Sequence, residues 1–385
     1  MERNEKHMIY YNGQVFTGEG FTYGGFSVED GRFLAVLPGQ AQGDVDLGGC
    51  LVLPGLVDVH THGNSDFDFS DGELSGLTRM AEYLASCGVT SFCPTSMTVP
   101  YEALRVAFET AAAYAAAPSP TGARLMGVHM EGPFFSEKKK GAQNAAYLQL
   151  PDVAAFEMLY RAAGGRMALV DVAPELPGAE AFTRAAAARC AVSVAHTDAT
   201  YEQACAVFDA GATHLTHLFN AMPSIHHRNP GVIPAAAERP QVMAELIGDG
   251  QHVHPSVVRL AFAAFPERIC LISDALRCCG MPEGDYLLGG LRVHLKDRLA
   301  RLDDGTLAGS AVTLWDCLQN VIRFGVPAPE AIRAATVNPA RSIGKEAEIG
   351  SIAPGRYADF VCCTAQYELQ RVYLGGAPLG APAPR

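Results

Sequence analysis

Eight short apolar runs alternate with Ala-rich helical stretches through the middle of this chain, and that alternation limits what it can fold into more than any other feature. The runs cover residues 56–60, 90–94, 125–129, 167–172, 192–196, 214–218, 242–247 and 269–273. The helical stretches include 73–87, 101–117, 152–163, 179–190 and 201–210. A β-then-α unit repeated eight times is the count of an α/β fold of the (β/α)8 TIM-barrel class. A doubly wound open sheet has the same alternation. What favours the barrel is that the reactive residues fall at the C-terminal ends of several different runs, where a barrel gathers its functional groups.

The ends of the chain have a different texture. Residues 8–17, 24–37 and 44–53 are β-branched and aromatic, with Asn12-Gly13 and Asp30-Gly31 as hairpin turn signals. The C-terminus returns to that pattern in GSIAPGRYADFVCC and LQRVYLGG. The expectation is that 1–54 and 346–385 pair into one small β-domain, a β-sandwich, around a catalytic barrel over 55–345.

The first run ends in His60-Thr61-His62. Residues i and i+2 of a strand face the same way, so the two imidazoles can grip one ion. Asp58 shares their face and is placed to orient a ligand ring. The third run leads into His129-Met130-Glu131-Gly132-Pro133, the fifth into AHTDAT with His196, the sixth into THLFNAM with His217, and the eighth into LISDAL with Asp274. Singly, each reads as a hydrogen-bonded core or turn residue. Together they put His, His, Glu, His, His and Asp on one rim. Imidazole and carboxylate suit Zn2+ or a similar divalent ion, and the absence of cysteine argues against a closed structural zinc site. The fourth run, MALVDVAP, has no lysine to carbamylate, so Glu131 is left to bridge two ions.

Composition removes other classes. Lys and Arg total 29 against 41 Asp and Glu, a net charge of −12, which excludes a broad basic face for nucleic acid. No apolar run approaches the ~18 residues of a membrane span. The start, MERNEKHMIYY, lacks an apolar leader core, and the eleven cysteines are scattered and odd in number. A cytoplasmic protein with reduced thiols is expected. No GxSxG, HExxH, P-loop or GxGxxG pattern occurs.

The strings LPGLVDVHTHG, GVTSFCPTS, GVHMEGPFFSEKKKGAQN, AHTDAT, THLFNAMPSIHHRNPG, IGDGQHVHP, LISDAL, GDYLLGG, DGTLAGSAVTL and ATVNPAR span nearly the whole chain. In them it resembles the N-acetylglucosamine-6-phosphate deacetylase family of metal-dependent amidohydrolases. The resemblance implies hydrolysis of the N-acetyl amide of N-acetyl-D-glucosamine 6-phosphate to D-glucosamine 6-phosphate and acetate, in amino-sugar catabolism. The galacto epimer demands the same site. The resemblance implies that Glu131, His196 and His217 ligate a divalent ion, and that His60 and His62 complete a second site. One or two ions per subunit follow, zinc first and iron as the alternative. Asp274 is implied as the proton carrier beside the metals. Asn220, Ala221, Arg228, His252 and the loop with Ala142 are implied to contact the sugar phosphate, with Leu307, Ala308 and Gly309 beside it. A homodimer is implied, with the phosphate-binding loop near the subunit interface. Gln143 stands where some relatives have His, and Asn229 where most have Glu.

Other polar groups carry less. Arg228 offers a planar donor fork for phosphate. Lys138, Lys139 and Lys140 read as a solvated face, His226 and His227 as loop residues or phosphate contacts, and His254 and His294 are given no role. A catalytically inactive barrel would have lost ligands, and a cyclic-amide hydrolase would want the missing lysine.

Overall fold

The computed structural model describes residues 7–380, so the outer parts of the two expected terminal segments, 1–6 and 381–385, lie outside the described residues. Each of the eight runs contributes a parallel strand: β1 (Leu56–Thr61), β2 (Val89–Pro94), β3 (Val128–Met130), β4 (Met167–Val172), β5 (Ala191–Val194), β6 (His214–Leu215), β7 (Met243–Ile247) and β8 (Ile269–Ile272). Their interior faces are buried throughout, as two-sided coverage requires. Helices Leu74–Ser86, Tyr101–Ala116, Val153–Ala162, Ala179–Ala186 and Tyr201–Asp209 occupy the Ala-rich stretches. Asp152 and Thr200 cap two of them through side-chain oxygens that accept backbone N–H groups.

The strands form two parallel sheets. One holds β1, β2 and a short strand Arg124–Leu125; the other runs β3 to β8 in chain order. Among the described residues, the strand pairing between the ends of one sheet and the other is limited to single bridges, Thr95 to His129 and Thr61 to Ala275. The ring expected from the strand count is therefore not closed by continuous ladders. The third run explains one break. It splits at Gly127, where an added Cβ would stand 2.6 Å from the Ala168 Cβ, so the chain leaves β2 as Arg124–Leu125 and re-enters beside β4 as β3. At the other break a side chain replaces the ladder. Asp58 accepts from the backbone N–H of Ser273 at 3.3 Å and from its hydroxyl at 2.6 Å, while Asp274 N donates to His60 O at 3.0 Å. Asp58 thus spans the seam and orients no imidazole. Burial pushes its carboxyl up to about 7.

The sixth run gives only two strand residues before the chain turns, with His217 at φ +28°. Between β8 and the last helices lies an antiparallel sheet the apolar runs did not indicate: Gly284–Leu288, Leu291–Lys296 and Leu299–Leu302. Gly289-Gly290 is its hairpin signal.

The terminal strands pair with one another. Leu51–Pro54 lies between Met8–Phe16 on one side and Phe360–Cys363 on the other, joining both ends of the chain in one eight-stranded sheet, where a sandwich was expected to have two. Tyr10, Phe26, Phe33, Phe360 and Tyr373 pack ring against ring over it. Asp30-Gly31 makes the expected turn, but Asn12-Gly13 is a bulge inside Met8–Phe16, with Asn12 at φ +57°. All eleven cysteines are free thiols. Among the described residues, no helix is long and apolar enough to cross a membrane.

Candidate metal centre

The strand ends bring the six candidate ligands together. His60 sits on β1 and is fully buried; His62 follows it and is 3% exposed. Glu131 follows β3, His196 follows β5, His217 follows β6 and Asp274 follows β8. His196, His217 and Asp274 take left-handed backbone, at φ +43°, +28° and +49°. Such conformations are strained for non-glycine residues and cluster where side chains must be aimed. Here they turn two imidazoles and a carboxylate into one space.

Hydrogen bonds on the outer nitrogens decide what the inner ones present. His60 Nδ1 donates to Glu245 at 2.8 Å, His62 Nδ1 to the Thr95 carbonyl at 3.1 Å and His196 Nδ1 to the Lys139 carbonyl at 2.9 Å. Each partner only accepts, so the proton of each neutral ring is on Nδ1 and Nε2 is a bare lone pair. These three lone pairs then face one another, His217 Nε2 and two carboxylates; His217 Nδ1 is buried without a partner, so no outer hydrogen bond fixes the tautomer of that ring. His60 and His62 Nε2 are 3.3 Å apart, and His196 and His217 Nε2 are 3.0 Å apart. Glu131 Oε1 is 3.1 Å from both His196 and His217, and Asp274 Oδ1 is 3.2 Å from His62. Acceptors pressed against acceptors need positive charge between them. Ligand atoms held at ~2.0–2.1 Å on a tetrahedral ion stand ~3.4 Å apart, close to these separations. The groups fall into two sets, His60–His62–Asp274 and Glu131–His196–His217, and Glu131 reaches both, since its Oε2 is 3.5 Å from His62 Nε2. The residues fit a divalent ion.

The electrostatics agree. Burial alone would push Glu131 and Asp274 up, but the facing imidazoles hold both below the usual carboxylate range. Burial likewise opposes charge on His62 and His217, yet the carboxylates raise each to about 9.

A cavity opens over this centre. Of the residues expected to meet a substrate, Ala142, Asn220, Ala221, His252, Leu307 and Gly309 line it, together with His62, Glu131, His196, His217 and Asp274. His60 lies beneath. Ala308 is buried, and its carbonyl accepts from His252 Nε2 at 3.0 Å. Arg228 is not brought to the cavity; it is exposed on its loop, with Nη1 2.7 Å from His227 Nε2. Lys138 pairs with Asp198 at 3.1 Å on the surface, as a solvated lysine does. His254 caps the helix Pro255–Ala264, and His294 bridges Asp285 and Asp303. Thr306, Leu276, Leu288 and Met97 also line the cavity; the first three lie inside DGTLAGSAVTL, LISDAL and GDYLLGG, but the sequence gives none of the four a role. Gln143, noted only as a departure, spans the site: its amide donates to Glu131 Oε2 at 2.5 Å and accepts from Thr98 N at 2.7 Å.

His252 donates from both nitrogens, to Asp249 at 2.7 Å through Nδ1 and to Ala308 O through Nε2. Burial lowers its pKa, but the Asp249 hydrogen bond and charge outweigh that and raise it. The stability this supplies is complete below the ordinary histidine value of ~6.5 and is lost as pH rises through the raised folded value. In Asp249→Asn, burial is no longer opposed by that charge, and NMR titration should find His252 titrating at lower pH than in the parent. An unmoved titration would mean that Asp249 does not hold the charge.

Comparison with known proteins places this site in context. Residues 51–378 match the amidohydrolase family. The N-acetylglucosamine-6-phosphate deacetylase of Vibrio furnissii is 35% identical over 90% of this chain and 88% of its own. The N-acetylgalactosamine-6-phosphate deacetylase of Escherichia coli O157:H7 is 34% identical over 85% of this chain and 87% of its own. Among solved structures, a mutant N-acetyl-D-glucosamine-6-phosphate deacetylase from Mycobacterium smegmatis, in complex with N-acetyl-D-glucosamine-6-phosphate, superimposes with a TM-score of 0.91 at 33% identity, covering 97% of this chain and 99% of that one.

Proposed function

The chain belongs to the amidohydrolase family, in its N-acetylglucosamine-6-phosphate deacetylase branch, and from that premise we propose that it hydrolyses N-acetyl-D-glucosamine 6-phosphate to D-glucosamine 6-phosphate and acetate. The observation that carries this reading is the convergence of four imidazole Nε2 atoms on Glu131 and Asp274 at the floor of one cavity. Glu131, His196 and His217 would hold one divalent ion, and His60, His62 and Asp274 a second, zinc in preference to iron given the imidazole-rich set. A divalent ion supplies Lewis acidity, polarising an amide carbonyl and lowering the pKa of water from 15.7 to ~7.

The chain's own groups do the rest. Asp274 takes the proton of the attacking water and returns it to the leaving amine, base and then acid. Asn220, Ala221 and the Ala142 loop enclose the sugar from one side, and Leu307 and Gly309 from the other. His252, committed to Asp249 and Ala308, fixes the Ala308 segment against the sugar. The 6-phosphate goes to Arg228. Because that side chain is exposed on a loop and outside the cavity of its own chain, we place this loop at the interface of a homodimer, a state that sedimentation velocity measures. The eight parallel strands read as one (β/α)8 barrel over 55–345, with the two flanking segments as its β-domain, paired over the described 7–54 and 346–380; the single bridges at both seams support closure. Free thiols throughout suit a reducing cytoplasm.

Arg228→Ala should raise KM for the phosphorylated substrate ~10–100-fold, since charge-assisted bonds contribute roughly 1.5–3 kcal/mol, and leave the slow hydrolysis of unphosphorylated N-acetylglucosamine unchanged. Equal damage to both substrates would make Arg228 structural. The deciding assay compares both 6-phosphorylated epimers, and the gluco sugar should turn over faster. Preference for the galacto epimer would reverse the assignment.

A further inference from the structure

Beneath the ligand rim the space between the strands is polar. Glu245, on β7, is fully buried, and its carboxylate accepts three hydrogen bonds: from His60 Nδ1 at 2.8 Å, from His214 Nε2 at 3.1 Å and from the backbone N–H of His217 at 3.1 Å. One carboxylate thus touches a candidate ligand of each ion set, the ring of His60 and the backbone of His217.

The bond to His60 has a chemical consequence. It keeps the ring proton on Nδ1, so that Nε2 presents a lone pair 3.5 Å from Asp274 Oδ1. Without an acceptor at Nδ1, the proton would move to Nε2 and bond to Asp274. One ligand lone pair would vanish, and the carboxylate proposed to carry protons would be tied up. We propose that Glu245 is the positioning residue that holds His60 in its ligand tautomer, and thereby determines whether the chain keeps an ion at His60–His62. This rests on the two-ion reading of the metal centre.

Two neighbouring groups sharpen the argument. His129 stands edge-on to His60, with ring centroids 4.6 Å apart, and its ligand atoms cluster with those of His60 and Glu245. Yet its Nδ1 donates to Val59 O at 3.1 Å and its Nε2 to Asp171 at 2.9 Å. It has no lone pair left, so this cluster is hydrogen-bonding scaffold, not a further ion site. His214 differs: its Nδ1 is buried without a partner, which leaves it free to carry the ring proton there instead.

That freedom gives the test its contrast. Glu245→Met keeps roughly the side chain's length and replaces both carboxylate oxygens with a weakly accepting thioether. Glu245→Gln keeps one oxygen, which can face His60 and His217, while His214 moves its proton to Nδ1 and accepts from the new amide. Zinc uptake by the full chain, followed with a chelating dye, should find two ions in the parent and in Glu245→Gln. In Glu245→Met one ion should be lost or bound ~10–100-fold more weakly, matching His60→Asn. Nitrogen-15 NMR of histidine in the zinc-free parent, read at a pH high enough for the His60 ring to be neutral, should show its single proton on Nδ1.

Two ions at unchanged affinity in Glu245→Met overturn the proposal alone. So does a parent whose neutral His60 carries its proton on Nε2 and none on Nδ1, a measurement that decides even if the Met variant fails to fold. A Gln variant as deficient as the Met variant would overturn the tautomer argument in favour of charge. A parent that takes one zinc, unaltered by His60→Asn, overturns the two-ion reading and this proposal with it.

Discussion

Asp274→Asn is expected to lower kcat by roughly 10²–10⁴-fold, the usual worth of general acid–base catalysis, with KM little changed. The side chain is well placed for that work. It follows β8 in left-handed backbone at φ +49°, with its Oδ1 3.2 Å from His62 Nε2 and 3.5 Å from His60 Nε2. Gly309 lies so close that a Cβ there would stand 3.0 Å from the same Oδ1, so the far wall of the site is built around this carboxylate. An amide has the same shape but takes no proton at neutral pH. The lost interaction is made in the transition state only, so kcat and kcat/KM should fall together. Asp274 is also a candidate ligand, and zinc content must be measured beside the rates. A loss below tenfold with full metal content, or a change in KM alone, would remove Asp274 as the proton carrier.

How much of this was legible in the residues follows from what each group touches. The eight strands were readable because burial on both faces forces continuous apolar runs. The candidate ligands were readable because they sit at the ends of those runs or just past them, where a polar residue has no packing role. The breaks between the two sheets were not. They depend on the Gly127 approach to Ala168 and on Asp58 reaching Ser273 across 215 positions of chain. Nor was Glu245 legible. Inside VMAELI it reads as a strand residue, and only the fold reveals that three donors converge on it. Asn12-Gly13 misled for a local reason: left-handed backbone at Asn serves a bulge as well as a turn. The Arg228 loop carries the string HHRNPG, yet the Arg228 side chain stands outside the cavity of its own chain beside His227, a placement that no residue spacing indicates.

Stripping the chain of divalent ions with a chelator should reduce kcat at least ~10³-fold, and added Zn2+ should restore it. A Lewis acid contributes several kcal/mol of charge stabilisation, and each ~1.36 kcal/mol is tenfold in rate. The stripped chain also has a problem of its own. The bare Nε2 atoms of His60 and His62, 3.3 Å apart, the bare Nε2 of His196, 3.1 Å from Glu131 Oε1, and that of His62, 3.2 Å from Asp274 Oδ1, meet acceptors that repel unless protons are taken up between them. The metal-free protein should therefore hold extra protons on this cluster, and zinc binding should release them. In weakly buffered solution a pH dye will register that release as a stoichiometric acid pulse. Because ions bind the folded chain and not a preformed site in the unfolded one, zinc should also raise Tm, by the equivalent of about 2.7 kcal/mol at a free concentration of 100 Kd. Glu131→Gln separates the two roles of the cluster. It keeps the shape beside His196 and His217 but removes the charge shared by both ion sets, so proton release and the Tm increment should shrink together with activity. A chelated chain that keeps its activity, or a Gln variant that releases as many protons as the parent, would mean that these six side chains are a hydrogen-bonded core and not a metal centre.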